Sequence, residues 1–542
     1  MLDLQNLSIC VLMLSFIVSL SLGIVRSLGQ RFRWIRASYL PSLVIALAAT
    51  TLVLLLGTDI LGAMASSATP AASNAFTLQD AFYAFVIIAL LILVGRYVRQ
   101  NVPLFQSLYI PSSIVAGGIA LLLGPEVFGA IAGSNSLLGG GLFSEPIRLV
   151  WSQSPGVFIN VVFAALFLGE TIPSPIEIWR KAAPQVAFGQ TIAWGQYVVG
   201  LLLVLTVLTP VFGLDPIAGS LIEIAFEGGH GTAAGMAGTF QELGFPEGGD
   251  LALGLATVGI VTGIVSGILL ADWGRRKGYV QVETSNEPDT DASSNELEEF
   301  EDPATRAERA RLMRDLLIDP ITLNLGFVGL AVAIGWIILK ALVWLESATW
   351  GATGFTIMNY VPLFPMALVG GILLQLLLVR LHLAPLISRP LMNRIAGVAL
   401  DVTIVTALAS LSLKVLGGNF IPFLLLAVFG ILWNVGAFIF IAPRILPTYW
   451  FERGIGDMGQ SMGVTATGIL LLRMVDPENR SGAFESFAYK QLFFEPIVGG
   501  GLYTAAAPAL IARFGPVPML FVNLVILAAW LAFGMFNFRK SS

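Results

Sequence analysis

Two stretches of this chain combine glycines with carboxylates, hydroxyls and a histidine inside otherwise apolar surroundings. The first runs from Glu223 through Glu227, Gly228, Gly229, His230, Gly231 and Thr232 to Met236. The second runs from Arg453 through Asp457, Gln460, Ser461, Gly463, Thr465 and Thr467 to Gly468. Glycine tolerates left-handed backbone and close approach, so such runs interrupt a helix. An interrupted helix offers free N–H groups at the start of its second half, a seat for a carboxylate. It also leaves carbonyls which, joined by the hydroxyls of Thr232, Ser461, Thr465 and Thr467, suit a hard cation such as Na⁺. The candidate substrate ligands are therefore Gly229, His230, Gly231, Thr232, Ser461, Gly463, Thr465 and Thr467. The candidate Na⁺ ligands are Glu227, Thr232, Asp457, Gln460, Thr465 and Asp401.

A purely structural reading stands beside this one. Gly, Ser and Thr also mediate tight packing between membrane helices. That reading fits Gly117-Gly118 and Gly370-Gly371, which sit inside good apolar spans. At 228–232 and 459–467 the polarity exceeds what packing needs, which favours a site. His230 reads equally as a satisfied structural histidine or a functional one. Glu227 and Asp457 are either functional intramembrane carboxylates or water-exposed loop residues. Asp401, Thr403, Thr406 and Ser410 have spacings that can share a helix face. A wet face and a polar seam between helices are even alternatives there. Asn434 and Gln375 carry a weaker signal still.

The elements that must position these residues are membrane helices. The chain has 542 residues, 56% hydrophobic and only 12% charged, with a mean hydropathy of +0.84. A soluble domain carries about 25% charge. Half of that cannot coat a water-facing surface of this size, which disfavours a soluble enzyme, a nucleic-acid binder and a disordered scaffold. The lone Cys10 excludes an intrachain disulfide framework or cysteine metal site. With only His230 and His382, zinc chemistry is disfavoured too.

Crossing a bilayer takes about 20 apolar helical residues. Spans are predicted near 7–25, 37–62, 80–95, 108–123, 155–172, 184–212, 250–271, 321–345, 361–380, 395–416, 419–443, 488–512 and 515–537. The first is not expected to be a signal peptide, because Met1–Asn6 holds no Lys or Arg. Placing the N-terminus outside puts 25 of the 29 Lys and Arg residues on inner segments, as the positive-inside rule requires. Segment 281–304 holds nine acidic and no basic residues and reads as a disordered linker within 272–320, on the inside. The formal charge of −5 belongs to it, since without it 29 basic residues face only 25 acidic ones.

The linker separates two related halves. Tyr109-Ile110-Pro111 precedes Gly117-Gly118-Ile119, and Tyr360-Val361-Pro362 precedes Gly370-Gly371-Ile372. Each half also carries a later polar, Gly-rich segment, 216–241 or 453–473. Five spans per half, in 80–271 and 321–512, make an odd number and so an inverted pair of repeats. The expectation is an all-α polytopic membrane protein of about thirteen helices, with two inverted five-helix repeats. Each repeat carries a re-entrant hairpin. Residues 1–79 add two helices, and 513–542 adds one more with a cytoplasmic tail.

Gly228-Gly229-His230-Gly231-Thr232-Ala233-Ala234 resembles the glycine-histidine-glycine-threonine motif of the sodium/glutamate symporter family. Ile110-Pro111 with Ala116-Gly117-Gly118 is similar to that family's early proline and paired-glycine span, and Gly463-Val464-Thr465-Ala466-Thr467 looks like its second-half hairpin. The resemblance implies inverted five-span repeats, a homodimer, and Na⁺-coupled uptake of glutamate across the bacterial cytoplasmic membrane. It implies no cofactor beyond Na⁺ as coupling ion. Asp457, Gln460, Ser461 and Arg473 depart from the family's more Gly- and Ala-rich pattern. Aspartate, another dicarboxylate or a different small solute thus stays open as substrate. A passive channel is the runner-up, since re-entrant segments also build pores. An enzyme is not expected, because the sequence holds no metalloprotease or phosphate-loop motif.

Overall fold

The computed structural model describes residues 76–133, 139–170, 172, 174–282, 319–351 and 356–538. The two N-terminal spans and most of the acidic segment lie outside these residues. Among the described residues the chain is helical, without strands. Nine helices among the described residues are long and apolar enough to cross a bilayer, at nine of the thirteen expected places.

The elements are Leu78–Asn101 (α1), Ser112–Leu123 (α2), Glu145–Ala165 (α3), Pro175–Leu203 (α4), Leu221–Phe226 (α5), Gly229–Gly235 (α6), Ala237–Glu242 (α7) and Gly248–Lys277 (α8). After the linker come Pro320–Ala348 (α9), Leu363–Arg380 (α10), Arg389–Ala409 (α11), Leu413–Gly418 (α12), Phe420–Phe440 (α13), Trp450–Val475 (α14), Ala483–Phe494 (α15), Leu502–Phe514 (α16) and Pro516–Asn537 (α17). Shorter helical turns join some of them.

Two expected spans come out differently. The span expected at 155–172 is α3, which starts earlier and stops at Ala165. Arg389 ends it by donating to the carbonyls of Ala165, Leu166 and Leu168 at 3.1, 2.9 and 3.1 Å. Gln375 then accepts from Gly169 N at 3.0 Å and donates to Glu170 O at 2.7 Å. These partners satisfy the carbonyls that a helix end leaves open. The span expected at 488–512 is two helices, α15 and α16, with a break over 495–501. Gly499 and Gly500 hold φ of +71° and +102° there, a region that side-chain-bearing residues avoid.

The chain divides into two compact units. The first contains the described residues up to Ser154 together with Ile404–Ser412. Its α1 begins on a capping box in which the Thr77 hydroxyl accepts from Asp80 N and the Asp80 carboxylate accepts from Thr77 N. Gly95 lets α1 close on α2, since a Cβ there would lie 2.7 Å from Ala116 N. Trp151 donates to Ala84 O at 3.2 Å. A Cβ on Gly117 would meet Leu408 at 2.7 Å, which gives this glycine a packing role.

The second unit holds Pro155–Thr403 and Leu413–Ser542. Helix α4 is its most buried long helix, packed by α13, α15 and α17. Trp433 packs its indole against Gly195 and donates to Ile192 O at 2.9 Å. Gly259, Gly263 and Gly267, four residues apart on α8, admit Met462 and Leu471 of α14. Gly370 packs on the Ala331 carbonyl and Gly371 on the Ala164 carbonyl. The second glycine pair is therefore a packing device too. Both Tyr-x-Pro motifs immediately precede a helix, α2 or α10, where proline's missing N–H costs nothing.

Candidate functional site

The first polar segment is interrupted between α5 and α6, where Gly229 takes φ +66°. Both α5 and α6 pack along α8. The second interruption lies inside α14, where Gly463 (φ −150°, ψ 36°) and Val464 (φ 61°, ψ 176°) leave helical geometry. Beyond it the chain folds back. A Cβ on Gly456 would lie 2.6 Å from Leu472 Cγ, and one on Gly468 would lie 2.5 Å from Gly456 O. In a straight helix, residues 456 and 472 would stand about 24 Å apart. Segment 453–473 is thus a helical hairpin with its tip at Gly463–Val464.

The two interruptions meet. A Cβ on Gly229 would sit 2.2 Å from Val464 Cγ1. The third break joins them from the other side: a Cβ on Gly500 would lie 2.8 Å from Thr232 Oγ1. Glu223 locks that third break in place. Its carboxylate accepts from Tyr197 Oη, from Gly499 N at 2.8 Å and from Thr504 Oγ1 at 2.8 Å.

The backbone groups freed at the hairpin tip are met by side chains from other helices. Ser461 O accepts from Gln196 Nε2 and from Asn434 Nδ2, each at 2.8 Å. Gln196 also donates to Asn434 Oδ1 at 3.0 Å. Thr467 Oγ1 donates to Gly463 O at 2.6 Å. Buried backbone groups demand such partners. Asn434, a weak signal in the sequence, fixes the hairpin.

The ionisable residues divide sharply by partner. Asp457 is fully buried and paired with Lys490, Nζ to Oδ1 at 2.8 Å, and it accepts from Gln185 Nε2 at 2.7 Å. Lys490 also donates to Gln460 Oε1 at 2.6 Å, and Gln460 exchanges hydrogen bonds with Gln491 at 3.1 and 3.0 Å. Thr465 Oγ1 donates to Glu495 Oε1 at 3.0 Å. His230 Nε2 lies 2.9 Å from Thr257 Oγ1, which itself donates to Leu253 O. Glu227 and Thr232 stand apart. Both are buried, and neither Glu227 oxygen nor Thr232 Oγ1 has a hydrogen-bond partner among the described residues. The Ser461 side chain lies beside Glu227.

The remaining expected ligands are placed as follows. Gly231 packs on Ile159, 2.7 Å from its Cδ1 to a Cβ position. Asp401 is half-buried on α11, next to Leu400, whose Cδ1 is 3.5 Å from that same position. A cavity of about 360 Å³ reaches Thr465 and is also lined by Glu170, Arg389, Gln491 and Glu495.

Gln185, Gln196, Lys490, Gln491 and Glu495 are residues of the candidate site that sequence reasoning missed. Lys490 counts among the inner-face charges by position, yet it is 1% exposed. A lysine and a glutamate inside a segment read as an apolar span were the available signal. Pro496 and Gly499-Gly500-Gly501 marked the third break.

Apolar helices in this number, around a buried polar centre built on helix interruptions, define a multi-pass membrane protein. Residues 185–476 match the family model of the sodium/glutamate symporter. That is more than half of the chain and includes the first two interruptions, and the chain belongs to the sodium/glutamate symporter family. It is accordingly a Na⁺-coupled membrane transporter, and its family is one of transporters rather than enzymes. Among curated proteins, no match to the chain was found.

Proposed function

We propose that this transporter imports glutamate, or a closely related anionic amino acid, together with Na⁺ by alternating access. The observation that carries the reading is the pair Glu227 and Thr232, buried where the interruptions meet and without a hydrogen-bond partner among the described residues. A buried carboxylate without a partner is costly, and a bound Na⁺ removes that cost. Glu227 and Thr232 form the core of the cation site. The substrate carboxylate is seated by N–H groups opened at Gly229–Thr232 and at Thr465–Thr467. The cavity beside Thr465 and Gln491 is its route. Asp457 and Gln460 are engaged by Lys490 and serve the hairpin. Asp401 belongs to the polar face of α11, where Thr403 and Thr406 are buried as in a seam between helices.

The surrounding architecture in this reading is thirteen spans, with inverted repeats at 80–271 and 321–512. The N-terminus lies outside, and the linker 272–320 and the C-terminus are cytoplasmic. The transporter works as a homodimer in a bacterial inner membrane. The resemblance and the positive-inside pattern support these points. Uptake of labelled glutamate into proteoliposomes tests the function. An inward Na⁺ gradient accumulates label above equilibrium, and equal accumulation under a K⁺ gradient overturns the coupling.

A further inference from the structure

The buried Asp457–Lys490 pair touches the transport centre but supplies neither the cation site nor the substrate seat. Lys490 Nζ lies 2.8 Å from Asp457 Oδ1 and 2.6 Å from Gln460 Oε1. The faces of Phe494 and Phe487 lie 4.2 and 4.9 Å from it. A carboxylate oxygen and an amide oxygen converging beside a helix interruption form a donor set for a hard cation. The ammonium stands where that cation would stand.

We infer that Lys490 is a tethered cation filling a second cation position of the centre, one that Asp457 and Gln460 would otherwise offer to Na⁺. This rests on the transport reading above and adds to it the number of movable cations. The four carboxylates around the interruptions are compensated differently. Glu223 has three donors, Glu495 has the Thr465 hydroxyl and Asp457 has the Lys490 ion pair, while Glu227 feels the Lys490 charge but has no hydrogen-bond partner among the described residues. Arg453, one turn before Asp457, adds positive charge from the hairpin base. A Na⁺ bound at Asp457 would have to enter and leave with each cycle. A lysine side chain cannot leave, so Asp457 stays neutralised throughout, and the first arm of the hairpin stays fixed to α15. Of these sites, Glu227 alone is left to exchange a cation.

The alternative is an ordinary structural ion pair, and the two differ in ion specificity. Breaking a buried pair by removing one partner is strongly destabilising because a bare charge remains. If the position is a cation site, Na⁺ repairs the damage; if it is only a bridge, it does not. The test uses the full chain in detergent, with unfolding midpoints in NaCl and in N-methyl-D-glucamine chloride at equal ionic strength. Lys490→Ala is expected to lose several degrees in the organic cation and to regain them through a saturable Na⁺ dependence that wild type lacks. Asp457→Asn/Lys490→Met, which removes both charges, is expected to lose that extra dependence. An equal deficit of Lys490→Ala in both salts overturns the inference, as does extra Na⁺ dependence persisting in the double variant. Should Lys490→Ala fold only when prepared in Na⁺, the inference holds; failure to fold in either salt overturns it. If wild type shows no Na⁺ response at all, the transport reading fails, while the Lys490→Ala comparison still decides this one.

Discussion

Gly229 and Val464 face each other so closely that a single methyl on the glycine would lie 2.2 Å from the valine Cγ1. Both hold positive φ, +66° and +61°. The valine is the unusual member, since a β-branched residue pays heavily for that conformation. The surrounding structure must hold it there. Gln196 and Asn434 clamp Ser461 on one side, and the Thr467 hydroxyl caps Gly463 on the other. Two helix interruptions from different halves of the chain are thereby locked together at their tips, which places Glu227 and Thr232 beside the hairpin.

The first prediction concerns that contact. Gly229→Ala introduces a left-handed alanine, at about 1–2 kcal/mol, and an overpacked methyl, at about 1–3 kcal/mol. Pairing it with Val464→Ala relieves only the second cost. In a double-mutant cycle on unfolding midpoints, the double variant should recover part of the loss. Strict additivity would mean that the two tips do not touch.

Glu227→Gln keeps the shape of the side chain and removes its charge. If Glu227 holds the coupling ion, this variant needs at least about tenfold more Na⁺ for half-maximal uptake, equivalent to about 1.4 kcal/mol. Without Na⁺ it should be at least as stable as wild type, because a buried carboxylate without a hydrogen-bond partner among the described residues is gone. Na⁺ titrations of uptake and of the unfolding midpoint measure both effects.

The two glycine-rich interruptions were readable from sequence because their polarity stands against apolar neighbours. Gly228-Gly229 and Gly463 needed no tertiary information. The third break was not readable in the same way, because the run from 488 to 512 averages as apolar and conceals Glu495 and three glycines. The end of α3 was hidden for another reason: Arg389, more than two hundred residues later, satisfies its last carbonyls. Lys490 illustrates the limit of counting charges along a chain. A positive-inside tally records that a lysine lies towards one face, but not that its ammonium is buried against Asp457.

The clamp on the hairpin tip yields a further prediction. Gln196→Leu and Asn434→Leu each remove one of the two donors to the Ser461 carbonyl. Each should cost about 1–2 kcal/mol, since the remaining donor still serves the oxygen. The double variant leaves that carbonyl buried and unpaired, so its loss should exceed the sum of the single losses by about 1 kcal/mol. Unfolding midpoints of the four proteins decide it, and a merely additive double variant would assign the two residues separate roles.

Thr232 and Thr465 look equivalent in the sequence, but their surroundings separate them. Thr465 donates to Glu495 at 3.0 Å, so Thr465→Val strips a buried carboxylate of its donor and should lower stability by about 1–3 kcal/mol. Thr232 Oγ1 has no partner among the described residues, so Thr232→Val loses no internal hydrogen bond and should unfold within about 0.5 kcal/mol of wild type. Its hydroxyl is left for a ligand. Thr232→Val should therefore weaken Na⁺ or glutamate dependence about tenfold with folding intact, the cost of one lost polar contact. Measuring midpoints and uptake constants together separates the two residues. A Thr232→Val protein that transports with unchanged constants would move the site away from the meeting of the three interruptions.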